Sequence, residues 1–156
     1  MNNFEQHLNT LLVEIFNSIL KYEERFLKRM YDFPITVSEA HMIELIGRFG
    51  EPSIGQLAAL LDITPPSVTV AVKKLERKGF LTRMQSSDDG RKAHVHLTEI
   101  GQRIDRIHSL FHRQLVRNIS SQTDESEQKI LLVAVEKISQ FFKDMALKEK
   151  ANSYEL

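Results

Sequence analysis

The chain has no cysteine and no tryptophan, only four prolines and six glycines, and no excess charge of either sign, since 21 Lys and Arg balance 21 Asp and Glu over 156 residues. Without cysteine there is no disulfide framework, no thiolate nucleophile and no Cys-ligated metal. The sequence holds no Gly-x-Ser-x-Gly elbow, no glycine-rich phosphate loop and no His-Glu-x-x-His pair. Each of those patterns carries a specific chemistry, and their absence points away from an enzyme. No apolar run is long enough to cross a bilayer, and the first residues carry no basic stretch leading into an apolar one. The expectation is a cytoplasmic protein without a membrane partner.

What is present is a core and a pattern. Hydrophobic residues make up 42% of the chain, enough for one domain spanning residues 1–156. Charge is balanced overall but not locally. Residues 65–103 carry eight cations (Lys73, Lys74, Arg77, Lys78, Arg83, Arg91, Lys92, Arg103) and four anions (Glu76, Asp88, Asp89, Glu99), a net +4 that the flanks cancel. A basic centre between acidic flanks suits a nucleic-acid surface on one lobe; an ordinary mixed surface is the alternative.

Apolar residues recur at helical spacing from Phe4 to Met30, which predicts one long amphipathic helix ending before Pro34. Thr36-Val-Ser-Glu39 and Ser53-Ile-Gly-Gln56 are capping boxes, each predicting a helix start. The first opens a helix stopped by Gly50; the second opens a short helix with Leu57, Leu60 and Leu61 inward. Thr64 is then the expected cap of a further helix with Pro65 at its first position, ending at Gly79. Residues 80–85 and 92–97 alternate like two strands around the turn Ser86-Ser-Asp-Asp-Gly90. Two more helices follow, one capped by Thr98 and broken at Ser120-Ser-Gln-Thr123. The predicted fold is mainly α with a two-stranded wing, in the order α-α-α-α-β-β-α-α. Residues 36–98 form a winged helix-turn-helix lobe, and residues 1–33 and 100–150 form long terminal dimerisation helices.

The second helix of such a lobe enters a DNA major groove and the hairpin reaches over the backbone. With Val68, Ala71, Val72 and Leu75 assigned inward, Pro65, Pro66, Ser67, Thr69, Val70 and Lys73 face out. Ser67 and Thr69 offer hydroxyls to base edges, while Val70 and the prolines suit thymine methyl groups. Lys73, Lys74 and Arg77 suit phosphates. At the hairpin, Arg91 and Lys92 supply cations. Arg91 is placed to enter a minor groove, with Asp89 placed to orient it. A cationic surface helix and a generic Asp-Gly turn are the plain alternatives.

Three words complete the pattern: Leu75-Glu-Arg-Lys-Gly-Phe80, Asp89-Gly-Arg91 and Leu97-Thr-Glu-Ile-Gly101. On these the chain resembles the MarR family of winged helix-turn-helix transcriptional regulators over nearly its whole length. The resemblance implies a homodimer acting on double-stranded DNA at a palindromic operator, most often as a repressor. It gives Ser67 to Lys73 the groove roles and Asp89 and Arg91 the wing roles. Pro65-Pro66 departs from the common pattern, and the lack of cysteine excludes the family's thiol-oxidation sensors. A ligand-independent structural dimer is the remaining alternative, and DNA binding in a salt titration separates the two.

Two sensing modes remain open. His108 and His112 are an i, i+4 pair sharing a helix face, His41 opens the second helix, and Glu23 and Glu24 lie late in the first. Three imidazoles and a carboxylate, with Glu24, His41, His108 and His112 as the set, would suit zinc; the family's zinc-responsive branch is similar in having such histidines. Packing histidines are the plain reading. The stretches Ile35–Gly47 and Arg106–Arg113 resemble at least as much the branch that represses fatty-acid synthesis. That resemblance implies an acyl ligand, delivered on acyl carrier protein, in an apolar channel lined by Phe16, Leu20, Phe26, Ile43 and Phe111, residues that otherwise read as plain core. The acyl mode is the favoured expectation.

Overall fold

The computed structural model describes residues 1–85 and 93–153, with side chains to Lys148. Among them the order is α1 (Asn3–Met30), α2 (Val37–Phe49), α3 (Ile54–Leu61), α4 (Pro65–Arg77), β1 (Leu81–Gln85), β2 (Ala93–Leu97), α5 (Glu99–Ser120) and α6 (Glu125–Ser153). This is the predicted order. The chain divides into two compact units, one from Met1 to His112 and one from Arg113 onward.

In the first unit the helix starts follow from local chemistry. Both expected capping boxes form: Thr36 accepts from the Glu39 N–H and Ser53 from the Gln56 N–H, with the reciprocal bonds from Glu39 and Gln56 in place. Asn2 and Glu5 make a third at α1. Asp62 caps α3 in the left-handed region at φ 54°, a conformation that a short polar side chain tolerates. That residue turns the chain from α3 into α4.

Leu27, Ile43, Ile46, Leu57, Val68, Val72, Leu75, Leu81, Val95, Ile104 and Phe111 are closed to solvent and form the core. Each large side chain contributes roughly 1.5–3 kcal/mol. Leu60, expected inward, is exposed; Ala58 takes the inward place one turn after Ile54. The strands pair antiparallel with Leu81 opposite Leu97 and Arg83 opposite Val95. The other edge of β2 is covered, since the Val95 N–H donates to the Pro52 carbonyl at 3.1 Å and Ser53 bridges His94. That edge is thereby closed to pairing with another chain.

Gly101 explains part of the Leu97–Gly101 word. A Cβ there would overlap the Phe80 carbonyl oxygen, so only glycine lets α5 start this close to β1. Thr98 accepts from the Gly101 N–H at 3.2 Å and donates to the Gly79 carbonyl at 2.7 Å, tying helix start to strand start.

In the second unit, α6 is capped by Asp124, which accepts from the Ser126 and Glu127 N–H groups at 2.8 and 2.9 Å. Within one chain its apolar residues, including Ile130, Ile138, Phe141 and Met145, stay exposed.

Candidate functional site

Helix α4 carries the expected groove surface. Val68, Val72 and Leu75 are buried at i, i+4, i+7 spacing. The opposite stripe runs Pro66, Val70, Lys73, Arg77, also at helical spacing, and all four are exposed. Lys73 and Arg77 make no ion pair among the described residues, so their charges are available to phosphate. Lys74 differs from expectation. Its Nζ lies 3.1 Å from Glu39 Oε1, so its charge is shared with α2. The reason is angular: one residue past Lys73, its side chain swings about 100° toward the α2 start. Asp89, Arg91 and Lys92 lie outside the described residues.

The hydroxyls of α4 are also engaged. Thr64 stands in the cap position but makes no side-chain cap bond; its Oγ1 lies 2.9 Å from Ser67 Oγ instead. With Pro65 and Pro66 at the first two positions there are two orphan N–H groups fewer to satisfy. Thr69 Oγ1 donates back to the Pro65 carbonyl at 2.9 Å.

Glu39 does more than close the capping box at the α2 start. It is nearly fully buried, and its carboxylate meets both Lys74 and Lys78, the latter at 2.8 Å. Lys78 also donates to the Pro34 carbonyl at 2.9 Å. Burial pushes the Glu39 carboxyl up, but hydrogen bonds from Lys78 and the Thr36 backbone, with the Lys74 ammonium beside it, outweigh it and hold the group below its ordinary value. The α2 start is thereby locked to the recognition helix.

On β2, His94 and His96 both face Glu51. His94 Nδ1 is 2.7 Å from the Glu51 carbonyl and His96 Nδ1 is 2.9 Å from the Glu51 carboxylate.

The second constellation joins α1, α2 and α5. Glu23, His41, His108 and His112 each bring one ligand atom to a point where all four lie within 4.8 Å of one another. Glu23 Oε1 sits 2.6 Å from His108 Nε2 and 2.9 Å from His41 Nε2. The His108 and His112 rings meet edge to face at 4.6 Å. Glu23 and His108 are buried, and His41, at 45% side-chain exposure, opens the cluster to solvent. Behind it, Glu44 places a carboxylate oxygen 2.9 Å from His108 Nδ1, though not aligned as a hydrogen bond, and 3.7 Å from His112 Nε2. Burial, and the nearby His108, push the His112 imidazole below its ordinary value.

The carboxylate in this set is Glu23, not Glu24. Glu24 is exposed and pairs with Lys28 one turn on, at 2.7 Å. The periodicity held the answer: Glu23 shares a face with Phe26 and Leu27, both buried, whereas Glu24 shares one with Lys28.

Within one chain the residues expected to line an apolar channel divide between core and surface. Phe26, Ile43 and Phe111 are core, with the Phe26 and Phe111 rings 5.0 Å apart, while Phe16 is 64% exposed and Leu20 also lies at the surface. Phe16 and Leu20 stand on the part of α1 that precedes its first buried residue, Glu23. A separate pocket of about 560 Å³ opens beside the α1–α2 connection, lined mainly by Leu27, Tyr31, Phe33, Ile35 and Val37.

Comparison with known proteins agrees with this geometry. Residues 35–93, from the α2 start to the first residue of β2, match the model of the MarR family. Streptococcus pneumoniae FabT, solved in complex with DNA, is 34% identical, with a TM-score of 0.86 over 90% of this chain and 99% of that one. YkoM of Bacillus subtilis, an HTH-type transcriptional regulator, is 33% identical over 98 residues, 62% of this chain and 64% of its own length. SarZ of Staphylococcus saprophyticus, also an HTH-type transcriptional regulator, is 28% identical over 125 residues, 80% of this chain and 84% of its own. A matching family model, a 34% identical structure covered almost throughout and the winged order of elements leave one conclusion: the chain belongs to the MarR family of winged helix-turn-helix transcriptional regulators.

Proposed function

We propose that this regulator acts as a homodimer on a palindromic operator, and that its DNA affinity is set by a divalent cation held by Glu23, His41, His108 and His112. The observation that carries the second part is the convergence of three imidazoles and one carboxylate within 4.8 Å. The donor set fits zinc. Ligand atoms around tetrahedral zinc, bonded at 2.0–2.2 Å, lie roughly 3.4 Å apart, and nitrogen and carboxylate donors are its ordinary partners. Glu44 lies within 2.9 Å of His108 Nδ1, close enough to orient that imidazole as an outer carboxylate would once the ring were fixed through Nε2. The cation itself supplies only charge neutralisation and a fixed geometry.

The protein's own residues would carry the response. Glu23 belongs to α1, His41 to α2, His108 and His112 to α5, so holding one ion fixes α2 against both neighbours. Two residues before His41, Glu39 grips Lys74 and Lys78 of the recognition-helix segment. A shift of α2 would therefore be transmitted to α4 through the ion pairs that the buried Glu39 makes with Lys74 and Lys78. Such coupling typically changes affinity 5- to 150-fold.

Two measurements test this reading. In a salt titration against operator DNA, Lys73→Ala and Arg77→Ala should each weaken binding and flatten the slope of log affinity against log salt by about 0.9. Lys74→Ala should change the slope less, because its charge is already paired. An equal loss for all three variants would refute this division. In the second, operator affinity is measured with and without zinc. No zinc-dependent change, with no stoichiometric zinc bound, would overturn the metal assignment and leave DNA binding standing.

The acyl mode is the second reading. It is favoured by the uncovered Phe16 and Leu20 on the same helix as the Phe26–Phe111 pair, and by the resemblance of residues 35–47 and 106–113 to the branch that represses fatty-acid synthesis. On this reading long-chain acyl carrier protein shifts operator affinity and zinc does not. Adding each to the same protein–DNA mixture separates them.

A further inference from the structure

The recognition helix is poor in hydrogen-bonding side chains where it should meet bases. Pro65 to Val72 contain no Arg, Lys, Asn or Gln. Those are the residues that grip a purine edge bidentately, Arg or Lys on guanine and Asn or Gln on adenine. The hydroxyls do not fill the gap. Thr69 spends its single proton on the Pro65 carbonyl, and Thr64 and Ser67 bond to each other, leaving one hydroxyl hydrogen between them. What the first two turns present outward is carbon, namely Pro66 and, one turn on, Val70 at 69% exposure. The cations begin only at Lys73, on the same stripe but further from the helix start.

A hydrophobic side chain exposed to this degree costs nothing to desolvate and gains by covering another apolar group. In the major groove the apolar group on a base edge is the C5 methyl of thymine. We propose that α4 reads its operator half-site through thymine methyl groups, with Val70 and Pro66 as the specificity-determining contacts, and that the half-site therefore carries thymine at the positions facing them. Lys73 and Arg77 then hold the helix in register by phosphate contacts that carry no sequence information. The proposal rests on α4 being the groove element of the proposed function.

The test isolates a single methyl group. An operator is first selected from random duplex DNA with the purified full-length protein. Each thymine of the half-site is then replaced by deoxyuridine, which keeps every hydrogen-bonding group and removes only the methyl. One or two positions per half-site should lose about fourfold in affinity, the effect of one buried methyl group. 5-Methylcytosine paired with guanine at the same position should bind better than cytosine, since it restores the methyl. Val70→Ala should abolish the sensitivity to deoxyuridine at one position, and Val70→Thr, which keeps the shape but exchanges one methyl for a hydroxyl, should reduce it. Val70 is at the surface, so both variants keep the fold, checked by their circular dichroism. A selected operator whose affinity ignores deoxyuridine at every position would overturn methyl readout while leaving DNA binding intact. Failure to select any sequence would instead remove the groove role of α4, and this proposal with it.

Discussion

His41→Ala is expected to lower zinc affinity by more than the roughly 10–100-fold that loss of an outer partner costs, and to remove the zinc dependence of operator binding. His41 is the ligand of choice for this test. It is 45% exposed, so its removal takes away a donor without opening the core. His108 is fully buried between Glu23 and Glu44, and its removal opens a cavity and takes one of the two imidazole partners of the buried Glu23, at a cost of about 1–3 kcal/mol in stability. His108→Ala should therefore lose both zinc and several degrees of melting temperature, while His41→Ala loses zinc alone. Glu44→Gln should cost 10–100-fold in zinc affinity through the orientation of His108. Affinity should also fall as pH drops through about 6.5, because a protonated imidazole cannot ligate. At His112, burial and the nearby His108 lower the pKa, so this ring stays neutral to a lower pH than an exposed histidine. The sign carries over to stability. The unfolded chain takes up that proton at a higher pH than the native state, so the metal-free protein loses stability as pH falls below about 6.5. Isothermal titration at several pH values, with a competing chelator, reads these effects. Unchanged zinc affinity in His41→Ala would take that residue out of the site.

Ile138→Glu is expected to turn an operator-binding dimer into a monomer of 18.1 kDa and to lower operator affinity by roughly 10²–10⁴. Ile130, Ala134, Ile138, Phe141 and Met145 recur at helical spacing along one face of α6, and the four large ones are exposed in a single chain. Exposed apolar area of that extent marks a binding surface. A second copy of the chain suits it because a palindromic operator needs two lobes related by a two-fold axis. Joining them makes the second half-site contact intramolecular, which is the source of the large factor. Glutamate is a good helix former and Ile138 is exposed in one chain, so helix content should hold while association fails. Sedimentation velocity at micromolar concentration reads the mass, and the same samples give operator affinity. A variant that stays dimeric would move the interface away from this face.

Local chemistry decided much that the sequence could announce. Capping boxes at Thr36 and Ser53, the Thr98 cap, the proline at the α4 start and the apolar periods each involve residues within a turn or two of one another, and the helices and strands stand in the order these predict. The outward stripe of α4 was legible for the same reason, since helical geometry alone separates Val68, Val72 and Leu75 from Val70, Lys73 and Arg77.

Whatever depends on the direction of a side chain across elements was not legible. Neighbouring glutamates in α1 differ by 100° of rotation, and only the packing of α1 on α5 makes Glu23 the buried partner of His41 and His108 and leaves Glu24 to Lys28. The same holds for Lys74, drawn from phosphate duty to Glu39, and for Thr69, whose hydroxyl turned back on its own helix. Spacing along a chain fixes which residues share a face. Which face meets which, and so which charges are spent inside the fold and which remain for a ligand, is settled by the three-dimensional packing of segments such as Glu23 and His108, 85 residues apart.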